Sequence, residues 1–221
     1  MPDTGQSPRK KARLRLGAVS SKSRGEPRRS GPTRREELLA IAAELFAARG
    51  FASVTVDDLG AAAGISGPAL YHHFESKEAM LGEMLVDISH HLLEAGRALR
   101  ESAPAKRLLD DLIEMHVDFA VDHRALISVH FHDLLEASPD DQRRVRGYQR
   151  QYVEIWVDAL LVRSPDLTVA VARAAVHAAL GLINSTPFSP RVRRVDMIPM
   201  LRSMAAAGLV AAGSSIVADE Q

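Results

Sequence analysis

Between Thr55 and Lys77 the chain carries residues suited to gripping a phosphate backbone and reading a groove. Thr55 and Ser66 are N-cap residue types, each ahead of a short apolar-periodic stretch, so each stands where free backbone N–H groups and a positive dipole end can hold phosphates. Gly67, Pro68 and Ala69 open the second stretch, and their small side chains let a helix end approach base edges, as major-groove insertion requires. Tyr71, His72 and His73 then offer polar tips for phosphates or bases. Because Gly67, Pro68 and Ala69 bring no hydrogen-bonding side chain, direct readout is sparse. Specificity is expected from Ser66, Tyr71, His72, thymine methyl contacts and DNA shape. Two short helices with a Gly between them occur in many helical proteins, so spacing alone leaves a purely structural reading open.

The elements that position these residues follow from caps and periodicity. Thr33 with Glu36 forms a capping box, and Leu38, Leu39, Ala42, Leu45 and Phe46 repeat at helical spacing until Gly50. After a short connection, Phe51 to Ser53, a second helix runs from Thr55, with Asp57 and Asp58 in its first turn, to Gly64. Ser66 to Phe74 is expected to complete about two helical turns, with Pro68 in the first. Leu59, Ala62, Ile65, Leu70 and Phe74 are spaced to pack this pair on the first helix. Ser76 caps a longer helix carrying Met80, Leu81, Met84, Leu85 and Ile88. Beyond Arg100, helices are expected at roughly 105–122, 124–137, 140–163, 166–185 and 195–213, punctuated by Pro104, Pro139, Pro165, Pro187 and Pro190. Pro199 falls in the first turns of the last one. No segment alternates with period two, so the fold class is all-α.

Composition narrows the functions. Apolar residues make up 46 % of the 221 and charged ones 25 %, the balance of a globular protein. The absence of cysteine excludes a disulfide scaffold, a thiolate metal site and a cysteine nucleophile. No apolar run approaches the ~18 residues of a membrane span, and no apolar h-region follows the N-terminus, so a soluble cytoplasmic protein without a membrane partner is expected. There is no Gly-rich phosphate loop and no convincing Ser/His/Asp set, so an enzyme is not expected, nor a cofactor. The zero net charge hides an asymmetry. Residues 1–35 hold eleven Lys/Arg against Asp3 and Glu26, a sum of +9, which leaves −9 for the remainder. Residues 1–32, rich in Pro, Gly, Ser and Arg, read as a disordered basic arm. Such an arm suits a phosphate-backbone partner, or serves only as a solvated tail; a helical adaptor that binds nucleic acid through the arm alone is the competing reading.

Thr55-Val56-Asp57-Asp58-Leu59, Ala63-Gly64-Ile65-Ser66 and Leu70-Tyr71-His72-His73-Phe74, followed by Lys77-Glu78, resemble the DNA-binding domain of the tetracycline-repressor (TetR) family. The close match covers about residues 34–85. The resemblance implies a three-helix helix-turn-helix domain over 33–85 and a helical ligand-binding and dimerisation domain over 86–221. It implies that Ser66, Gly67, Pro68 and Ala69 face bases or the groove floor, that Thr55, Tyr71, His73 and Lys77 position the DNA backbone, and that His72 does either. Gly60 departs from the family's usual Ala, at a helix-propensity cost of roughly 1 kcal/mol. The implied function is a ligand-responsive regulator, most simply a repressor, bound as a homodimer to a palindromic double-stranded operator and released by a small-molecule effector that moves the helix near 86–100.

In the C-terminal region Tyr148, Tyr152 and Trp156 repeat every four residues, with Arg143, Arg146 and Arg150 on a neighbouring face. They read either as core beneath a solvated face or as a pocket wall with a cationic mouth, which would suit an amphipathic anion such as an acyl-CoA. His116, His123, His130 and His132 lie nearby; His130 and His132 are two apart and face differently, so no metal site is expected, and His116 and His130 join the ligand-pocket candidates. Asn184-Ser185-Thr186 reads as a helix end rather than a glycosylation site. The last two helices are rich in small residues, which permit close helix approach. Since the family pairs these helices with their symmetry mates, Val171, Ala175, Ala178 and Leu182 with Met200, Met204, Ala207 and Val210 are the interface candidates.

Overall fold

The computed structural model describes residues 33–214, and every regular element among them is helical. The basic arm, residues 1–32, lies outside the described residues. Helix α1 (Arg34–Arg49) begins at the expected capping box: the Thr33 hydroxyl accepts from the Glu36 N–H, and the Thr33 N–H donates to the Glu36 carboxylate at 2.8 Å. A 3-10 turn (Phe51–Ser53) leads to α2 (Val56–Ala63), where Thr55 and Asp58 repeat the same box. Gly64 closes α2 at φ 68°, ψ 30°, the left-handed region that glycine enters without a Cβ clash.

The next helix is shorter than expected. Helix α3 covers only Gly67–Leu70, and Tyr71 to His73 continue it as turns: the His72 N–H donates to the Ala69 carbonyl (3.2 Å) and the His73 N–H to the Leu70 carbonyl (2.9 Å). These three-residue spacings tighten the chain and deliver Phe74 into the core at 4 % exposure. Then follow α4 (Lys77–Ser102), α5 (Ala105–Asp122), α6 (Arg124–Asp133), α7 (Pro139–Arg163), α8 (Val169–Ile183) and α9 (Arg194–Ser214). The segment read as 124–137 is therefore α6 plus a 3-10 turn (Leu134–Glu136), and α8 starts three residues late because Thr168 supplies its cap. Pro199 does lie inside α9.

Helix α4 is the spine. Its first turns pack with α1, and its length lies against α7, so closely that a Cβ on Gly96 would stand 3.0 Å from the Tyr152 ring. One apolar core runs through both ends of the chain, including Leu38, Phe46 and Leu59 near the N-terminus and Leu112, Trp156 and Val176 further on. Helix α6 packs on α1, which ties the two regions together away from α4 as well. Helices α8 and α9 pack on one another and on α7 and α5. By length and apolarity both match a membrane span, contrary to the sequence reading that no apolar run comes near one. Each nevertheless packs one face inward, through Ala172, Val176 and Ala179 on α8 and Met197, Leu201, Ala205 and Leu209 on α9. Arg173 on α8 and Arg202 on α9 form ion pairs with Glu154 and Asp118.

Candidate nucleic-acid interface and ligand cavity

The α2–turn–α3 unit is held rigid by backbone geometry. The Ile65 N–H donates to the Gly60 carbonyl at 2.9 Å, and the turn presses so near α2 that a Cβ on Gly60 would lie 2.8 Å from the Gly67 nitrogen and 2.9 Å from the Ile65 oxygen. The residue that looked like a simple propensity loss is thus what lets α3 seat on α2. Asp58 caps α2 from inside its first turn, and the Thr55 hydroxyl and N–H hold its carboxyl down to about 2.

The expected DNA-facing residues divide. Thr55, Ser66, Pro68, Tyr71 and His72 are exposed, Tyr71 at 55 %, and Ala69 and His73 are half-buried. The Ser66 hydroxyl makes no capping bond and so remains open to an incoming group. Gly67 is buried against α2, with Asp57 Oδ1 where its side chain would be, so it serves α2–α3 packing and not the groove floor. The resemblance also overstates Lys77. Its ammonium donates to the Phe51 and Val54 carbonyls at 2.9 and 2.8 Å and sits 4.2 Å from the Phe51 ring centroid, which makes it an internal strut and not a phosphate hand.

The other cations between Arg34 and Lys77 are engaged too. Arg34 donates to the Ala63 carbonyl at 2.6 Å and pairs with Glu37. Arg35 bonds Glu83 and the His73 carbonyl and lies over the Phe74 ring; the Glu83 hydrogen bond raises its pKa. Arg49 pairs with Asp58 at 3.1 Å. The folded motif therefore exposes polar tips and helix starts while its own cations are engaged by partners within the chain, Arg34, Arg35 and Arg49 at the surface.

A cavity of about 260 Å³ opens in the second region, with walls from α4 (Ile88, Ser89, Leu92), α5, α6, α7 and α8. Of the sequence candidates, His116, His130 and Tyr152 line it. The other three do not. Trp156 is fully buried beside His116, ring centroids 5.9 Å apart, so it belongs to the core; Tyr148 is half-buried against His90 at 4.9 Å. Arg146 is exposed and donates to Gln142, and Arg143 bonds Asp140. The arginine face is solvated and forms no mouth.

Sequence reasoning missed Ser89, Gln149, Phe131 and Asn184, which line the same space. Asn184 is indeed the C-cap of α8, as a helix end should be, but its side chain turns inward. Its Oδ1 stands 3.1 Å from His116 Nε2, and His116 Nδ1 stands 3.1 Å from the Tyr152 hydroxyl. Burial drives the His116 imidazole down to about 4 and pushes the Tyr152 phenol up, so both are neutral. An amide oxygen only accepts, so Nε2 carries the ring proton and Nδ1 accepts from Tyr152. No spacing signal links residues so far apart.

Comparison with known proteins places residues 38–84 in the family described as bacterial regulatory proteins, tetR family. The HTH-type transcriptional repressor KstR2 of Mycolicibacterium smegmatis is 34 % identical over 132 residues, 58 % of this chain and 63 % of that protein, so the matched stretch spans less than two thirds of the relative. The structure of the ketosteroid transcriptional regulator KstR2 of Mycobacterium tuberculosis superposes with a TM-score of 0.69 at 27 % identity, covering 82 % of this chain and 96 % of that one. PfmR, a TetR family regulator of Thermus thermophilus, does so with a TM-score of 0.69 at 26 % identity, over 81 % and 97 %.

Proposed function

The chain belongs to the TetR family of bacterial regulatory proteins, and on that premise we propose that it is a ligand-responsive transcriptional repressor: a homodimer that binds a palindromic operator and leaves it when a small molecule enters the cavity. The observation that carries this reading is the continuity of α4. One helix places Lys77 under the helix-turn-helix unit and Ile88, Ser89 and Leu92 in the cavity wall. A ligand that binds the displaced position of α4 better than the DNA-bound position shifts the population away from the operator.

Thr55, Ser66, Pro68, Ala69, Tyr71 and His72 are the residues we assign to DNA, with His73 supporting the turn. Two copies are needed to read a palindrome about one helical turn apart. The surface for that pairing is the outer side of α8 and α9. There Ala178 and Ala207 are exposed, Met200, Met204 and Val210 are 43, 49 and 52 % exposed, and Val171, Ala175 and Leu182 are half-buried. An amphipathic anion such as an acyl-CoA fits the cavity only with its charged part outside, since no Lys or Arg lines it.

Selection from random duplex DNA by the full-length protein tests the reading. Enrichment of a palindrome, protected as a footprint, is expected; binding without sequence preference would favour an adaptor that uses only its basic arm.

A further inference from the structure

The cavity's polar groups are few and their proton roles are fixed by one another. The chain Tyr152 O–H to His116 Nδ1, then His116 Nε2–H to Asn184 Oδ1, uses every polar atom of the imidazole and the one acceptor of the amide. What Asn184 has left is its NH2, with no hydrogen bond from it among the described residues, on a side chain that lines the cavity. Of the other polar lining residues, His130 and Gln149 are bonded to each other, Ser89 donates to the Leu85 carbonyl, and His177 is exposed. Lys, Arg, Asp and Glu are absent from the described lining. His116 is sealed at 3 % exposure, and burial lowers the His130 pKa as well. A carboxylate or phosphate brought into the depth of the cavity would meet apolar walls and neutral amides, with little to offset its desolvation; the remaining lining histidine, His177, stands on the exposed side of α8.

We propose that the part of the effector enclosed by this cavity is neutral and apolar and offers one carbonyl oxygen, of a ketone, ester or thioester, to the Asn184 amide N–H. This rests on the cavity being the effector site. The Tyr152–His116 relay engages Oδ1 and so leaves the NH2 as the amide's open group, on a side chain that lines the cavity. At about 260 Å³ the enclosed part is small, just under the ~300–1,000 Å³ usual for ligand pockets. A donor such as an alcohol is served less well, because Asn184 Oδ1 already accepts from His116 while its two N–H groups have no acceptor among the described residues.

The test uses full-length protein at pH 8 with two probes of equal chain length, 2-nonanone and nonanoate, followed by saturation-transfer NMR and by the emission of the single tryptophan, Trp156, beside the relay. The ketone is expected to bind at least 10-fold tighter than the carboxylate. Asn184→Asp keeps an acceptor for His116 but replaces the N–H donor with an oxygen, and should abolish that preference by weakening the ketone at least 10-fold. Asn184→Leu, checked for folding by circular dichroism, should do the same. Nonanoate binding as tightly as 2-nonanone, or an Asn184→Asp variant that keeps the ketone affinity, overturns the proposal and leaves the cavity as the effector site. Binding of neither probe overturns the effector-site reading itself, and the proposal with it.

Discussion

The Asp133 carboxylate, at the C-terminal end of α6, accepts the backbone N–H of Phe51 at 3.4 Å in a buried contact that spans 82 residues of sequence. Phe51 opens the connection between α1 and α2, and its carbonyl is held by Lys77 from α4. The entry to the helix-turn-helix unit is thus clamped from α4 and α6, two of the five helices that carry cavity walls, since α6 supplies Leu126, Ile127, His130 and Phe131. Burial raises the Asp133 pKa, outweighing the Phe51 N–H, whose hydrogen bond to the carboxylate acts to lower it.

Asp133→Ala leaves that N–H without its partner and should cost about 1–2 kcal/mol in a denaturant melt, while Asp133→Asn, which keeps an acceptor oxygen, should stay within about 0.5 kcal/mol. Equal losses in both variants would mean that charge, not the hydrogen bond, matters at this joint.

Lys77 and Tyr71 should separate in two assays. Lys77→Ala removes two charge-assisted hydrogen bonds and a cation–π contact, so a loss of about 2–4 kcal/mol in stability is expected. Tyr71→Ala, from an exposed position, should leave the melt unchanged and weaken operator affinity by about 1–3 kcal/mol at fixed salt. A stable Lys77→Ala protein with a reduced salt slope would restore the phosphate contact that the resemblance implies.

His116 makes stability depend on pH. Its folded pKa of about 4 lies below the unfolded ~6.5, so between these values the unfolded chain binds more protons; the contribution is full above pH 6.5 and is lost as pH falls to about 4, in total about 3 kcal/mol. Unfolding curves at pH 7.5, 5.5 and 4.5 for wild type and His116→Gln check this: the variant's curve should be flatter across that window by about one proton.

Met204→Glu places a charge on the exposed side of α9, where Met204 is 49 % exposed and packing within the chain has little to lose. Sedimentation should show a monomer with an unchanged circular-dichroism spectrum. A dimer that persists would move the pairing surface elsewhere.

Removing residues 1–32 deletes nine basic and two acidic groups, +7 per subunit. Since Arg34, Arg35, Arg49 and Lys77 all have internal partners, long-range attraction to DNA should depend on that arm. If two or three arm residues per subunit reach phosphates, truncation should flatten the slope of log affinity against log salt by roughly 4–5 units per dimer, with the preferred sequence unchanged. Identical slopes for full-length and truncated protein would make the arm a bystander.

The sequence by itself determined what local energetics decide. Capping at Thr33, Thr55 and Ser76, the turn at Gly64 and the helical spacing of apolar residues locate most of the helices, because each signal acts within a turn or two. The family's motif locates the helix-turn-helix unit for the same reason: its packing is nearly all between neighbours in sequence. Tertiary structure alone decided the fate of side chains whose partners lie far away. Tyr148, Tyr152 and Trp156 share a stripe, yet each step of four residues climbs about 6 Å and turns about 40° past the last, so the three meet His90, the cavity and the core in turn. Lys77 reads as a free cation until Phe51 and Val54 are brought beneath it. Asn184 reads as a helix end until α8 is laid against α5, 68 residues earlier, and its amide meets His116. A helix signal needs only its own turn; a polar partner in the core is chosen by which helices pack together.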